Sequence, residues 1–178
     1  MGHHHHHNRR TTSCLVNPRA CHETVLNWAP ATAIRQIAVI GAGPAGLAYA
    51  TVAAERGHQV TLFDGADEIG GQFNLAKQVP GKEEFHETIR YYRAMLEKYQ
   101  VTGKLGARVG AEELSESGFD HIVVATGINP RVPQIPGIDH EKVVGYIDAI
   151  RGHKPIGKKV AVVGAGGIGF DVTELITH

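Results

Sequence analysis

Two hydrophobic periods divide most of the chain. Ile37, Ala38, Val39 and Ile40 form an apolar run of the length and type of a buried parallel strand, and Gln59 to Phe63 reads as a second strand. Between them Leu47 to Arg56 is rich in alanine and reads as a helix. Phe85, Ile89, Tyr92, Leu96 and Tyr99 recur at helical spacing, which predicts a helix with a core-facing stripe; Arg90, Arg93 and Lys98 lie between them and predict its solvated face. Pro80-Gly81 marks a turn ahead of it, and Glu83, Glu84 and Glu87 suit first turns, where carboxylates meet the positive end of the helix dipole. Farther on, Lys104 to Val109 predicts a short strand, Glu112 to Glu116 an acidic surface turn, Phe119 to Ala125 a buried strand and Val143 to Arg151 a short helix. Lys158 to Val163 predicts one more strand. Strands alternating with helices point to an α/β fold around a central parallel sheet.

The glycines give this pattern its chemistry. Gly41-x-Gly43-x-x-Gly46 follows the first strand directly and opens the first helix. In a dinucleotide site the first glycine makes the tight turn, the second lets backbone approach a pyrophosphate, and the third lets helix pack on strand. The helix N-terminus then presents unpaired N–H groups and the positive dipole end. Asp64 ends the second strand at about the twenty-residue distance expected of an acid that binds a ribose. A carboxylate there accepts from a free 2′-hydroxyl and repels a 2′-phosphate, so FAD, NAD or ADP is expected at this site and NADP is disfavoured. Gly70-Gly71-Gln72 sits in the following loop, either bringing amides to the same pyrophosphate or forming an ordinary turn. Thr126 and Gly127 follow the strand that ends at Ala125, at the sheet end where ligands collect in doubly wound folds. Gly164-x-Gly166-x-x-Gly169 repeats the first motif after Lys158 to Val163. Two copies predict two nucleotide sites, the arrangement for passing electrons between dinucleotides. The second unit stops at His178, ahead of a second strand, so the chain reads as a truncated piece of a longer enzyme.

Composition adds boundaries. Met1 to His7 reads as an expression tag. Residues 8–34 read as a linker, 35–152 as a partial first nucleotide-binding domain, and 153–178 as the start of a second. Asn129 to Gly137 carries three prolines and reads as a stiff connector. Eighteen basic and eighteen acidic residues leave no net charge, which offers no footprint for nucleic acid or an anionic membrane. Ile37 to Ala54 is uncharged and about long enough to span a bilayer, but Gly-Ala-Gly-Pro-Ala-Gly at its centre is a poor continuous helix. No secretory signal is visible, and a cytoplasmic location is expected. Cys14 and Cys21 have neither a disulfide framework nor a metal spacing, and read from spacing alone as two thiols.

The segments SCLVNPRACHE, VIGAGPAGLA, GHQVTLFD, EIGGQFNLAKQVPGKEEF, ATGINPR and VAVVGAGGIGFD together resemble the bacterial NADPH-dependent 2,4-dienoyl-CoA reductases, flavoproteins of the family that also holds trimethylamine dehydrogenase. The resemblance covers nearly everything after the tag. It implies a Rossmann-like FAD/NAD(P)-binding fold and, in a full-length parent, an FMN-bearing barrel and a 4Fe–4S cluster relaying electrons from NADPH and FAD to FMN and the dienoyl-CoA. By the same resemblance Cys14 matches the last of four cluster cysteines, and Cys21 matches no ligand. Ala45 and Gly46 would face the FAD pyrophosphate, Asp64 the adenosine ribose, Gln72 the flavin side, and Val109 the adenine through its backbone. Thr126 and Gly127 would close over the pyrophosphate, and Gly164, Gly166 and Gly169 match the start of the NADPH site. No catalytic residue is implied in this chain. Two alternatives stay open. One is a non-redox module holding ADP, as in trimethylamine dehydrogenase. The other is a different two-nucleotide flavoprotein such as a glutamate synthase small subunit, against which SCLVNPRACHE argues.

Overall fold

The computed structural model describes Cys14, Asn17 and residues 19–178; the expected tag lies outside the described residues. Four parallel strands, β1 (Gln36–Ile40), β2 (Gln59–Phe63), β3 (Thr102–Lys104) and β4 (His121–Val124), form one sheet in the order β3-β2-β1-β4. β1 runs in register with β2 from Gln36↔Gln59 to Ile40↔Phe63, and with β4 from Ile37↔His121 to Ile40↔Val124. The chain thus winds from β1 outward to β3, then returns to the other side of β1. That reversal makes the carboxyl end of β1 a topological switch point, where open α/β sheets bind ligands.

Strand periodicity decides the core. Ile37, Val39, Val60 and Leu62 point to one face, where α1 (Pro44–Glu55) and α3 (Glu84–Lys98) cover them with Leu47, Ala50, Ala53, Ile89 and Tyr92. Ala38 and Phe63 point to the other face and meet Leu114, with Ile40, Val109 and Phe119 beside them. The stripe expected on α3 is the packed one, and Arg90, Arg93 and Lys98 are exposed. α1 begins at Pro44, three residues before the stretch expected from alanine content, because proline at N1 sets φ and lacks only an N–H the helix would not use. It ends where Gly57, at φ +98, lets its own N–H and that of His58 reach back to Ala54 O and Ala53 O.

Four expectations are corrected. The strand expected over Lys104 to Val109 lies earlier, at β3. Beyond it Gly106, at φ +70, bends the chain so that Gly106 N donates to Ala66 O and Ala107 N to Asp64 O. The acidic turn at Glu112 to Glu116 is a helix, α4 (Ala111–Glu116), anchored by buried Leu114 with Glu112 and Glu113 in its first turn. The loop after Asp64 contains a short helix, α2 (Phe73–Ala76), anchored by Leu75. Lys158 to Val163 forms no strand: among the described residues no neighbour offers it a ladder, and Val163 stays 84% exposed. The expected short helix is α5 (Tyr146–Arg151), and the last glycines open α6 (Gly167–Thr177).

Candidate nucleotide-binding site

The first glycine turn is built by backbone constraints that side chains would break. Gly41 has φ +112, donates its N–H to Phe63 O, and a Cβ on it would lie 2.3 Å from Ala125 O. A Cβ on Gly46 would lie only 1.8 Å from Gly41 O, so the first turn of α1 folds directly onto the turn that precedes it. Gly43 differs, since no atom lies within 4 Å of a Cβ built there. As N-cap of α1 it faces open space, with no side-chain cap and no acid in the first turn. The N–H groups of Ala45 and Gly46 lack intrahelical acceptors by position. This is a cradle for an anion.

Three segments close around it. Asp64, half-buried, accepts from Ala42 N at 2.6 Å through Oδ2 and from Ala66 N at 2.8 Å through Oδ1, which ties the glycine turn to the end of β2. A carboxylate has about four acceptor positions, so roughly two remain for a ribose. Gly70 donates to Ala42 O at 2.8 Å, and a Cβ on Gly71 would come within 2.9 Å of Gly43 Cα. The glycine pair therefore lies against the cradle and is not a detached turn. Asn74 holds this loop by donating to Ile69 O. From the other side, Ala125 N donates to Ile40 O, Thr126 Cα lies 3.1 Å from a Cβ on Gly41, and Gly127 turns away at φ +74.

Gln72 and Val109 stand farther out. Gln72 is exposed at the start of α2, where its Oε1 accepts from the hydroxyl of Tyr146 at 3.3 Å. Val109 packs beside Phe63 on the opposite face from α1. The Tyr146 contact had no signal in the sequence, because it joins residues 74 positions apart.

The second glycine motif takes the same shape as the first. Gly164 has φ +123, Gly166 is the extended N-cap of α6, and a Cβ on Gly169 would lie 2.1 Å from Gly164 O. The turn forms although the residues before it make no strand, so its geometry is local to the glycines. Gly164 has no protein atom near its Cβ position, whereas Gly41 has Ala125. A cavity of about 430 Å³ lies elsewhere, at the amino ends of the strands, lined by Gln36, Gly57, His58, Gln59, Tyr99 and Gln100. It is at the wrong end of the sheet for the glycines.

Cys14 is exposed, and its Sγ accepts from Asn17 N at 3.4 Å. Cys21 is exposed 7 positions later. Two cysteines do not make a four-thiolate cluster, and no group of three His, Cys, Asp or Glu among the described residues could hold a metal. No helix among the described residues is long and apolar enough to cross a membrane.

Residues 35–178 match the family model described as pyridine nucleotide-disulphide oxidoreductase. The chain is 35% identical over 170 residues to a metal reductase of Desulforamulus reducens, covering 93% of this chain and 25% of that protein. It is 34% identical over 164 residues to a cinnamate reductase of Clostridium sporogenes, covering 89% and 24%. A solved 2-naphthoyl-CoA reductase in complex with 2-naphthoyl-CoA superposes with a TM-score of 0.87 at 36% identity, covering 92% of this chain and 25% of that one. The chain spans about a quarter of the length of these relatives.

Proposed function

The chain belongs to the pyridine nucleotide-disulphide oxidoreductase family, and from that premise we propose that it is the FAD- and NADPH-binding part of a cytoplasmic 2,4-dienoyl-CoA reductase of fatty-acid oxidation. A domain of this family implies FAD and NAD(P)H binding. The observation that carries the reading is the pair of like-shaped glycine turns in one chain, the first completed by Asp64, Gly71 and Thr126. A single ADP-holding module has no use for the second turn. Similarity to a 2-naphthoyl-CoA reductase supports a CoA thioester substrate, and similarity to a cinnamate reductase supports reduction of a conjugated carboxylic substrate.

The residues present fit an adenine dinucleotide. In this reading Gly41, Gly43, Ala45 and Gly46 offer backbone to the pyrophosphate, with Thr126 and Gly127 above it. Asp64 accepts from the ribose hydroxyls, Val109 borders the adenine, and Gln72 lies toward the flavin. Gly164, Gly166 and Gly169 begin the NADPH site. Bound here, FAD supplies acceptance of hydride from NADPH and release of electrons one at a time. The 4Fe–4S cluster and FMN belong in this reading to the parent protein, where Cys14 would be one of four ligands. This chain's own cysteines do not suffice for the cluster.

The test is to add FAD to the purified chain, remove the excess, record the visible spectrum, and identify any nucleotide released on denaturation. A retained flavin band with FAD released supports the reading. A colourless chain releasing ADP favours the non-redox module, and an empty chain shows that residues 41–127 do not bind FAD by themselves.

A further inference from the structure

The two glycine turns differ at one informative position. Seven residues after the first glycine, α1 carries Ala48, packed against the core, whereas α6 carries Asp171. The carboxylate stands in the second turn of a helix whose amino end is the second glycine turn. Both of its oxygens lie 2.7 Å from Nζ of Lys82, 89 positions earlier in the chain. The side chains keep only 29% (Lys82) and 25% (Asp171) of their exposure. Lys82 occupies the turn between α2 and α3, where its backbone is held from both sides: its N–H donates to Val79 O, and its carbonyl accepts from Phe85 N. Val79 beneath it is buried. The lysine is therefore fixed to the segment that carries Gly70 and Gly71, while the aspartate is fixed to the second glycine turn.

We propose that Lys82 and Asp171 form a latch that docks the second glycine turn onto the first nucleotide-binding unit. α6 has no buried residue of its own, so apolar packing holds it weakly and a directional ion pair carries a larger share of its placement. α5 lies between the units, touching both α2 and α6, and the Tyr146–Gln72 hydrogen bond adds a second, neutral tie on the same side. The latch itself needs no cofactor. That it sets the nicotinamide against the flavin rests on the function proposed above. Lys82 and Asp171 are positioning residues, and neither is placed at the reacting atoms.

The experiment is hydrogen–deuterium exchange on the full chain, following peptides over residues 164–178 and, as internal reference, over residues 36–55. Lys82→Ala and Asp171→Ala are expected to speed exchange in α6 about fivefold and leave β1 and α1 unchanged. Lys82→Arg is expected to keep the wild-type rate, and the charge-exchanged Lys82→Asp/Asp171→Lys pair to recover most of it. High salt should speed α6 in the wild type more than in the single variants. Equal α6 exchange in wild type and single variants, or no recovery in the exchanged pair, overturns the latch. FAD retention is measured on the same samples. A chain that releases ADP and no FAD while α6 still responds to the latch overturns the flavin reading and leaves the latch standing.

Discussion

At the residue scale, Gly43 and Gly46 belong to one motif but are needed for different reasons, and alanine separates them. On Gly46 a methyl group would strike a backbone carbonyl, 1.8 Å away, that cannot move without opening the turn after β1. Gly46→Ala is expected to cost about 1–3 kcal/mol of unfolding free energy in urea and to abolish nucleotide retention with it. On Gly43 the methyl meets no protein atom, and φ −76 with ψ 178 is extended backbone open to any residue. Loss of the better N-cap is offset by a less flexible unfolded chain, so Gly43→Ala should change stability by less than about 1 kcal/mol. It would nevertheless fill the space a pyrophosphate occupies in the proposed site. A variant that unfolds as the wild type does but no longer retains nucleotide is the expected result, and unchanged retention would move the ligand away from Gly43.

At the scale of elements, α3 is held by what it buries. Tyr92 is 6% exposed among Leu47, Ile89 and the β1–β2 face, and burial, with the neighbouring Tyr91 adding to it, raises its phenol above the ordinary 10.0. The folded state thus holds this proton more tightly than the unfolded chain. Its contribution is complete below pH 10 and is lost as pH rises from there through the raised folded value. In an ultraviolet titration a tyrosine step above the ordinary 10.0 should appear. Tyr92→Phe should remove both that late step and its share of the alkaline loss of stability.

The same helix shows what a sequence discloses about elements. Its stripe was readable because five apolar residues repeat on one face, and β1 was readable because a parallel strand buried on both faces is apolar; β4 has the same composition, yet Ile122 and Val124 are exposed, so the strand expected to be buried forms largely bare. Lys158 to Val163 has that composition too and is not a strand, because a strand exists only with a partner to bond. The short helices α2 and α4 each hang on a single buried leucine, too little to make a period. The site divided in the same way. Gly41, Gly46 and Asp64 announce themselves through spacing, whereas Tyr146 on Gln72 and Lys82 on Asp171 are tertiary pairings that no local pattern encodes.

At the scale of the whole molecule, the two edges of the sheet are unequal. β3 is Thr-Gly-Lys, three residues with a lysine at the end, and such an edge discourages further pairing. β4 is His-Ile-Val-Val and bonds only to β1 among the described residues, leaving one row of backbone donors and acceptors open. Its side chains are bare as well: Ile122 is 43% and Val124 74% exposed, although a parallel sheet is ordinarily covered on both faces. Val163 and Phe170 add further apolar surface, at 84% and 68%. An open, apolar edge strand is a template for pairing with another chain, and exposed apolar surface adds to the tendency. The isolated chain is therefore expected to self-associate as its concentration rises, measured by sedimentation velocity across a dilution series. Val124→Lys should shift the distribution toward monomer, since the side chain already projects into solvent and the charge adds repulsion at little cost to the fold. Association unchanged by that lysine would assign the contact to Val163 and Phe170 in place of β4, and a chain monomeric at every concentration would mean that neither surface is adhesive.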